Sequence, residues 1–364
     1  MSEPDLWEQL QAPTLAELVL GLQVLLLLVL HRAICRVHAL LVAAGRGGAL
    51  EAGGAADTCR LPSVASLAPE KIRGGWQPRA DWSPLTTEEL RVAAKLREWL
   101  GGAEFDALPR DILVQFVRGY SYRDDWHDAT GAYLGACLAW RKGHAADSVL
   151  LAPPPAGHEL FEECLRSGVI GEDREGRPVV IDCIGRIPAA KLVANFDEAA
   201  YMRHQIYNRE ALRLYSTANS RKRGKRIYKA VGVLDLAGLS LAHSDPKILS
   251  LLRAQNSAFG YNYPESVQGM IIVNTPWVFR SIWAIVKGWL HPVTAAKVRI
   301  LGSDYHGTLA EMGITLHSPK GIADRIEPWS HIAQRLMREG DGAELLRGYM
   351  PAEDEEQLAR LARR

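Results

Sequence analysis

The sequence has almost no excess of charge: Lys plus Arg total 43 and Asp plus Glu total 42. A chain so evenly balanced has no whole-molecule field to draw in a polyanion, so no nucleic-acid partner is expected and any electrostatic targeting must be local. Cysteine is sparse. The five residues, Cys35, Cys59, Cys137, Cys164 and Cys183, include no close pair of the kind that holds zinc or exchanges disulfides. An odd, dispersed set of thiols suits a reduced core in a cytosolic setting better than a disulfide framework. Gly-x-Gly-x-x-Gly does not follow any strand pattern and a Walker loop is absent, so no nucleotide or other cofactor is expected. His-Glu-x-x-His is missing among the eleven histidines, and no metal is expected. Leu301-Gly-Ser-Asp-Tyr-His306 offers Ser303 and His306 but lacks the second glycine of a nucleophile elbow, which leaves hydrolase chemistry third among the functions considered. The chain reads as a non-enzyme.

What is present is a folded composition, 48% hydrophobic and 23% charged over 364 residues, enough for two or three structural units. Near the N-terminus, Thr14 and Glu17 form a capping-box pattern ahead of the apolar run Leu18–Leu30, which continues through Ala33, Ile34, Val37, Leu40 and Leu41. Acidic residues before the run argue against a secretory signal, and Arg32, Arg36 and Arg46 after it would keep the following chain on the cytoplasmic side. Residues 1–45 are thus expected to be a membrane-active helix and anchor candidate, spanning or lying in the plane. The Gly/Ala-rich stretch that follows opens a flexible linker over 46–85.

From Thr86 the spacing of Leu90, Ala93, Leu96 and Leu100 predicts a helix. Two further amphipathic helices, Arg110–Arg118 and Trp126–Lys142, complete a small helical subdomain over 86–150. Val169–Ile184 reads as a hairpin folded about Asp173-Arg-Glu-Gly-Arg-Pro178. Beyond it, strands at Tyr228–Asp235, Met270–Asn274 and Lys297–Leu301 alternate with helices at Asp197–Asn219 and Pro246–Ala258. Strands joined through helices of ten or more residues imply a mostly parallel sheet flanked by helices over 151–328. Residues 329–364 are expected to be a helical tail. Ser220-Arg-Lys-Arg-Gly-Lys-Arg226 reads as a basic loop whose Arg221, Lys222, Arg223, Lys225 and Arg226 could dock on an anionic membrane surface.

The stretch Tyr261-Asn-Tyr-Pro-Glu265, the strand ending Asn274-Thr-Pro276, the apolar segment after it, His291-Pro-Val-Thr-Ala-Ala-Lys297 and Leu301-Gly302 follow one another in a distinctive order. In this order, with Gly171–Pro178 and Leu234–Ser240, the chain resembles the CRAL-TRIO lipid-binding domain of the phosphatidylinositol-transfer type over about residues 86–327. The resemblance implies an α/β fold with an enclosed apolar pocket for one amphipathic lipid, a phosphatidylinositol-like phospholipid being favoured, and transfer or presentation of that lipid between membranes. It implies that Glu265, Thr294 and Lys297 meet the headgroup. At the position of the family's arginine in the helical subdomain stands Tyr120, with Arg118 nearby; His291 stands where an acidic residue is usual, and Ala230 and Gly232 replace two small hydroxyl residues of the central strand.

On spacing alone, Ile282, Ile285, Val286 and Trp289 make one apolar helix face that Trp283 and Leu290 widen. With Phe279 at its start this segment is the gate that the family resemblance implies. Val231, Val233, Ile271 and Val273 are taken as the pocket floor, although either face of those strands could supply it. The alternative to transfer is a membrane-tethered adaptor that senses a lipid and recruits a partner through the linker or the charged tail from Pro351.

Overall fold

The computed structural model describes residues 61–361 except 69, 241–242, 244, 276–296, 319 and 340–341. The N-terminal apolar run, Thr294 and the whole segment Phe279–Leu290 lie outside the described residues. Among the described residues no helix is long and apolar enough to cross a membrane.

The helical subdomain starts at α1 (Thr87–Leu100), where Thr86 and Glu89 complete a capping box, each side chain meeting the other's backbone amide. Helices α2 (Gly102–Ala107), α3 (Arg110–Gly119) and α4 (Trp126–Gly143) follow. Leu96, Leu113, Phe116 and Leu134 are wholly buried at their centre; each contributes about 2 kcal/mol by leaving water. Residues 61–85 are not the linker that their composition suggested. Leu61 and Leu67 pack on this core, Ile72 bridges Arg123, and the carbonyls of Ala80, Asp81 and Ser83 accept hydrogen bonds from Arg118. Polar backbone here is fixed by arginines that lie far away in sequence.

After α5 (His158–Cys164) comes the hairpin β1 (Ser167–Glu172) and β2 (Pro178–Asp182). Its turn is held by Asp173, whose carboxylate accepts the amides of Glu175 and Arg177, and by Gly176 at φ 83°. That positive φ explains the glycine. Helices α6 (Ala189–Asn195) and α7 (Glu198–Arg223) lead to β3 (Ala230–Asp235), α8 (Pro246–Asn262), β4 (Val267–Val273) and β5 (Val298–Ile300). α9 (His306–Glu311), β6 (Thr315–Leu316) and β7 (Glu327–Pro328) complete this part. The sheet order is β5-β4-β3-β2-β1-β6 with β7 also on β1. The pairs from β2 to β5 are parallel and those of β1 are antiparallel.

The C-terminal part comprises α10 (Trp329–Glu339), α11 (Gly342–Leu345) and α12 (Ala352–Leu361). α12 returns to the helical subdomain, where Asp354 accepts the Leu85 amide at 3.0 Å and the Arg226 guanidinium at 2.6 Å.

Strand register sorts the side chains onto two faces. On the first, Ile170, Val179, Ile181, Val231, Val233, Ile271 and Val273 pack against Tyr305, Leu309, Ile314 and Ile322. On the second, Val169, Val180 and Ala230 are covered by Tyr207, Ala211 and Ile332 from α7 and α10. The rest of that second face, formed by Gly232 and Leu234, Met270 and Ile272, and Val298 and Ile300, is only partly covered by described residues.

Candidate functional site

The pocket-floor expectation is corrected here. Val231, Val233, Ile271 and Val273 are at most 4% exposed and belong to the filled core under α9. The open apolar surface lies on the opposite face, where Leu234, Met270, Val298 and Ile300 are half-buried around Gly232. Alternation along a strand leaves two apolar sets when both faces are apolar, and only tertiary packing selects between them.

At one edge of this surface sits Glu265, in the turn between α8 and β4. Its backbone has φ 53°, uncommon for a side chain larger than glycine, and such held conformations concentrate where geometry matters for function. The structure brings Glu265 and Lys297 together: Lys297 Nζ lies 3.8 Å from Glu265 Oε1 and donates to the Val267 carbonyl at 3.3 Å. It also adds a residue that the sequence reading missed. Lys229 Nζ stands 2.7 Å from Glu265 Oε2, is 3% exposed, and donates to the Arg79 carbonyl. Lys229 ends the segment entering β3, beside the entry of β4, and only the parallel register of those strands places it near Glu265. Two ammonium groups and one carboxylate leave one surplus positive charge. Burial pushes the Lys297 pKa down; Glu265 opposes that and Lys229 reinforces it.

The helical subdomain supports this turn from below. Gly119, at the end of α3, lies so close to Pro264 that a Cβ there would stand 2.6 Å from the proline ring. Tyr120 stacks on Tyr133, centroids 4.4 Å apart, and Tyr133 stacks on Tyr261. Tyr120 is therefore a buried strut beside the turn, its hydroxyl pKa pushed well up by burial. Arg118 is corrected as a headgroup residue. It is 3% exposed, and its guanidinium is taken by Glu89 at 2.8 Å and by the carbonyls of Ala80, Asp81 and Ser83.

The basic run is corrected too. Arg221 and Arg223 lie in the last turn of α7 and Gly224 caps it, so the run is mostly helix. Arg221 pairs with Glu344, Arg223 with Glu172, and Lys225 with Glu175. Arg226 is 1% exposed against Asp354. Of the five, Lys222 alone has no partner among the described residues, and a membrane patch is not what the other four form. At the remaining catalytic candidate, Ser303 and His306 are both exposed, and His306 leans on the Tyr305 ring.

Residues 164–313 match the profile of the CRAL/TRIO domain. Over this segment the chain is similar to CRAL/TRIO domains. The domain so matched holds β1 to β5, α9, Glu265 and both lysines. Over 229 residues the chain is 31% identical to the phosphatidylinositol/phosphatidylcholine transfer protein SFH12 of Arabidopsis thaliana, covering 62% of this chain and 42% of that protein. It is 30% identical over 176 residues to the Sec14 cytosolic factor of Schizosaccharomyces pombe, covering 48% of this chain and 61% of that one. With the SEC14 cytosolic factor of Kluyveromyces lactis identity is 26% over 240 residues, covering 66% and 78%. The chain spans 42%, 30% and 29% of the first three plant relatives it matches.

Proposed function

We propose that this chain takes one phospholipid onto the open face of its sheet and carries it between membranes, with an inositol phosphate headgroup at Lys297, Lys229 and Glu265. The observation that carries this reading is the three-residue cluster at the margin of an apolar face. Its surplus positive charge matches a phosphodiester, while the carboxylate can accept from inositol hydroxyls. Acyl chains would lie along Leu234, Met270, Ile272, Val298 and Ile300. The sequence segment Phe279–Leu290, by its apolar face, would cover them and meet the bilayer when the lipid is exchanged, and Thr294 would join the headgroup set. The plant relatives, phosphatidylinositol/phosphatidylcholine transfer proteins such as SFH12, support the same class of cargo. The membrane contact is transient on this reading, with the N-terminal apolar run as an additional anchor facing the domain to the cytoplasm.

The test is movement of labelled phosphatidylinositol from donor to acceptor vesicles by the full chain. Lys297→Ala should reduce transfer about tenfold or more, the value of one lost charged hydrogen bond, and Glu265→Gln should reduce phosphatidylinositol uptake while leaving phosphatidylcholine uptake near the parent level. A parent protein that extracts no phospholipid, or a Lys297→Ala protein that moves phosphatidylinositol at the parent rate, would sink the proposal.

A further inference from the structure

The open face is not wholly apolar. Asp182, the last residue of β2, shares that face with Leu234, its partner in β3, and Ser167, its partner in β1. Opposite it, where α7 and α8 meet, lies Arg209. Its guanidinium sits 4.9 Å from the centre of the Phe259 ring and 5.7 Å from that of Tyr263. Both Asp182 and Arg209 retain some accessible surface. Yet burial pushes the Asp182 carboxyl up, against the Ser167 hydroxyl, and pushes the Arg209 pKa down, against Tyr263, Asp182 and Glu210.

Arg209 is conspicuous for what it lacks. Arg141 and Arg213, the other arginines in this part of the molecule, are both bonded to Glu210, and Arg213 also to Asp111. One turn away from Arg209 on α7, Gln205 donates to Tyr201, which donates to Gln255. Arg209 has no hydrogen bond and no ion pair among the described residues, only the two rings and the fields of Tyr263, Asp182 and Glu210. A guanidinium keeps its charge and its five donors under these conditions, so its isolation disfavours the empty protein. An acceptor from outside would remove that disadvantage.

We infer that Arg209, with Asp182 beside it, is a second polar subsite inside the lipid cavity that binds an oxyanion of the cargo, a phosphodiester or a carboxylate. The inference rests on the reading that a lipid occupies this face. It places a polar group of the cargo near the α7–α8 junction, on different elements from Glu265 and Lys297, and it makes Arg209 a determinant of which lipid is held.

The full chain and its Arg209→Met variant are incubated with vesicles of phosphatidylcholine, with oleate, and with vesicles containing diacylglycerol, and the lipid retained per protein is measured after separation. Methionine keeps the aliphatic packing and removes the donors. The expected result is a loss of about tenfold or more for the oxyanion-bearing cargo, with diacylglycerol retention unchanged and lipid-free thermal stability equal or raised. Loss confined to phosphatidylcholine identifies a phosphodiester subsite, and loss confined to oleate a carboxylate subsite. Equal retention of every lipid by the two proteins overturns the inference while leaving lipid carriage standing. So does a fall in lipid-free stability with parallel loss of all three lipids, which marks Arg209 as a structural cation packed on Phe259 and Tyr263. A parent chain that retains none of the lipids overturns both readings together.

Discussion

At the scale of single residues, charge decides most of what the molecule does with its polar groups, and the decisive variable is whether the partner is within reach. Arg118 and Glu89 are 3% and 1% exposed and bonded at 2.8 Å. Removing one end strands the other in the interior, so Glu89→Ala should cost about 3 kcal/mol or more in a denaturant titration, whereas Lys222→Ala should leave stability unchanged within error. The pair His158 and His204 behaves differently. Their Nδ1 atoms are 2.9 Å apart, one donating and the other accepting, and Phe161 stacks on the His204 ring. Burial first, then the charges of His158 and Arg203, lower the His204 pKa to about 4, with Glu162 opposing. Between that value and the ordinary 6.5 or so the unfolded chain binds a proton that the folded chain refuses. Stability should therefore rise with pH across this window and fall by up to about 3 kcal/mol on acidification through it. His204→Gln should flatten that slope in thermal melts at pH 4.5 and 7. None of this was visible in the sequence, because a histidine's partner comes from another helix.

At the scale of elements, the sequence was informative wherever local chemistry dictates the outcome. Asp173-Arg-Glu-Gly-Arg-Pro178 requires a turn, and Asp173 and Gly176 make it in the way their side chains allow. Thr86 and Glu89 announce the start of α1. The misreadings came from elements whose role depends on distant chain. Residues 61–85 show no helical or strand periodicity and still fold against the helical core, since the Asp81 carboxylate accepts from Arg177 at 2.8 Å and its carbonyl accepts from Arg118 and Arg226. The run Arg221–Arg226 read as a free membrane-docking loop because its acidic partners, from Glu172 to Asp354, are spread along the chain. Lys229 escaped notice for the same reason. It follows that α12 is a clasp and not a tail: Asp354→Ala leaves Arg226 buried without its carboxylate and Leu85 without its acceptor. Amide exchange at Leu85 and through the first turn of α1 should accelerate by at least about tenfold in that variant, with the sheet strands unaffected.

At the scale of the whole molecule, the sheet divides the labour between its faces. One is filled by Tyr305, Leu309 and Ile314, and the other, among the described residues, is filled by α7 and α10 only over β1, β2 and the start of β3. The CRAL/TRIO resemblance named Glu265 and Lys297, which lie 3.8 Å apart, but the choice of floor could not be made from alternation in β3 and β4. Gly232 offers a direct check on the proposed cavity. A Cβ there would meet only the tip of Met270, at 2.9 Å from its sulfur, and a flexible tip can move. Gly232→Leu should then retain the parent melting temperature within a few degrees and lose most phospholipid uptake, because the added side chain occupies space meant for acyl chain. Equal uptake would place the lipid elsewhere.

The clasp has a consequence for the order in which the chain can be completed. Leu85 and its acceptor Asp354 are 269 residues apart. At the usual pace of ribosomal synthesis that interval lasts about 15–50 s. The rest of the helical subdomain is made early in that interval, and Arg226 is made 128 residues before Asp354, so over its last part the arginine waits for a carboxylate still unmade, and chaperones have that opportunity to hold this subdomain of the nascent chain.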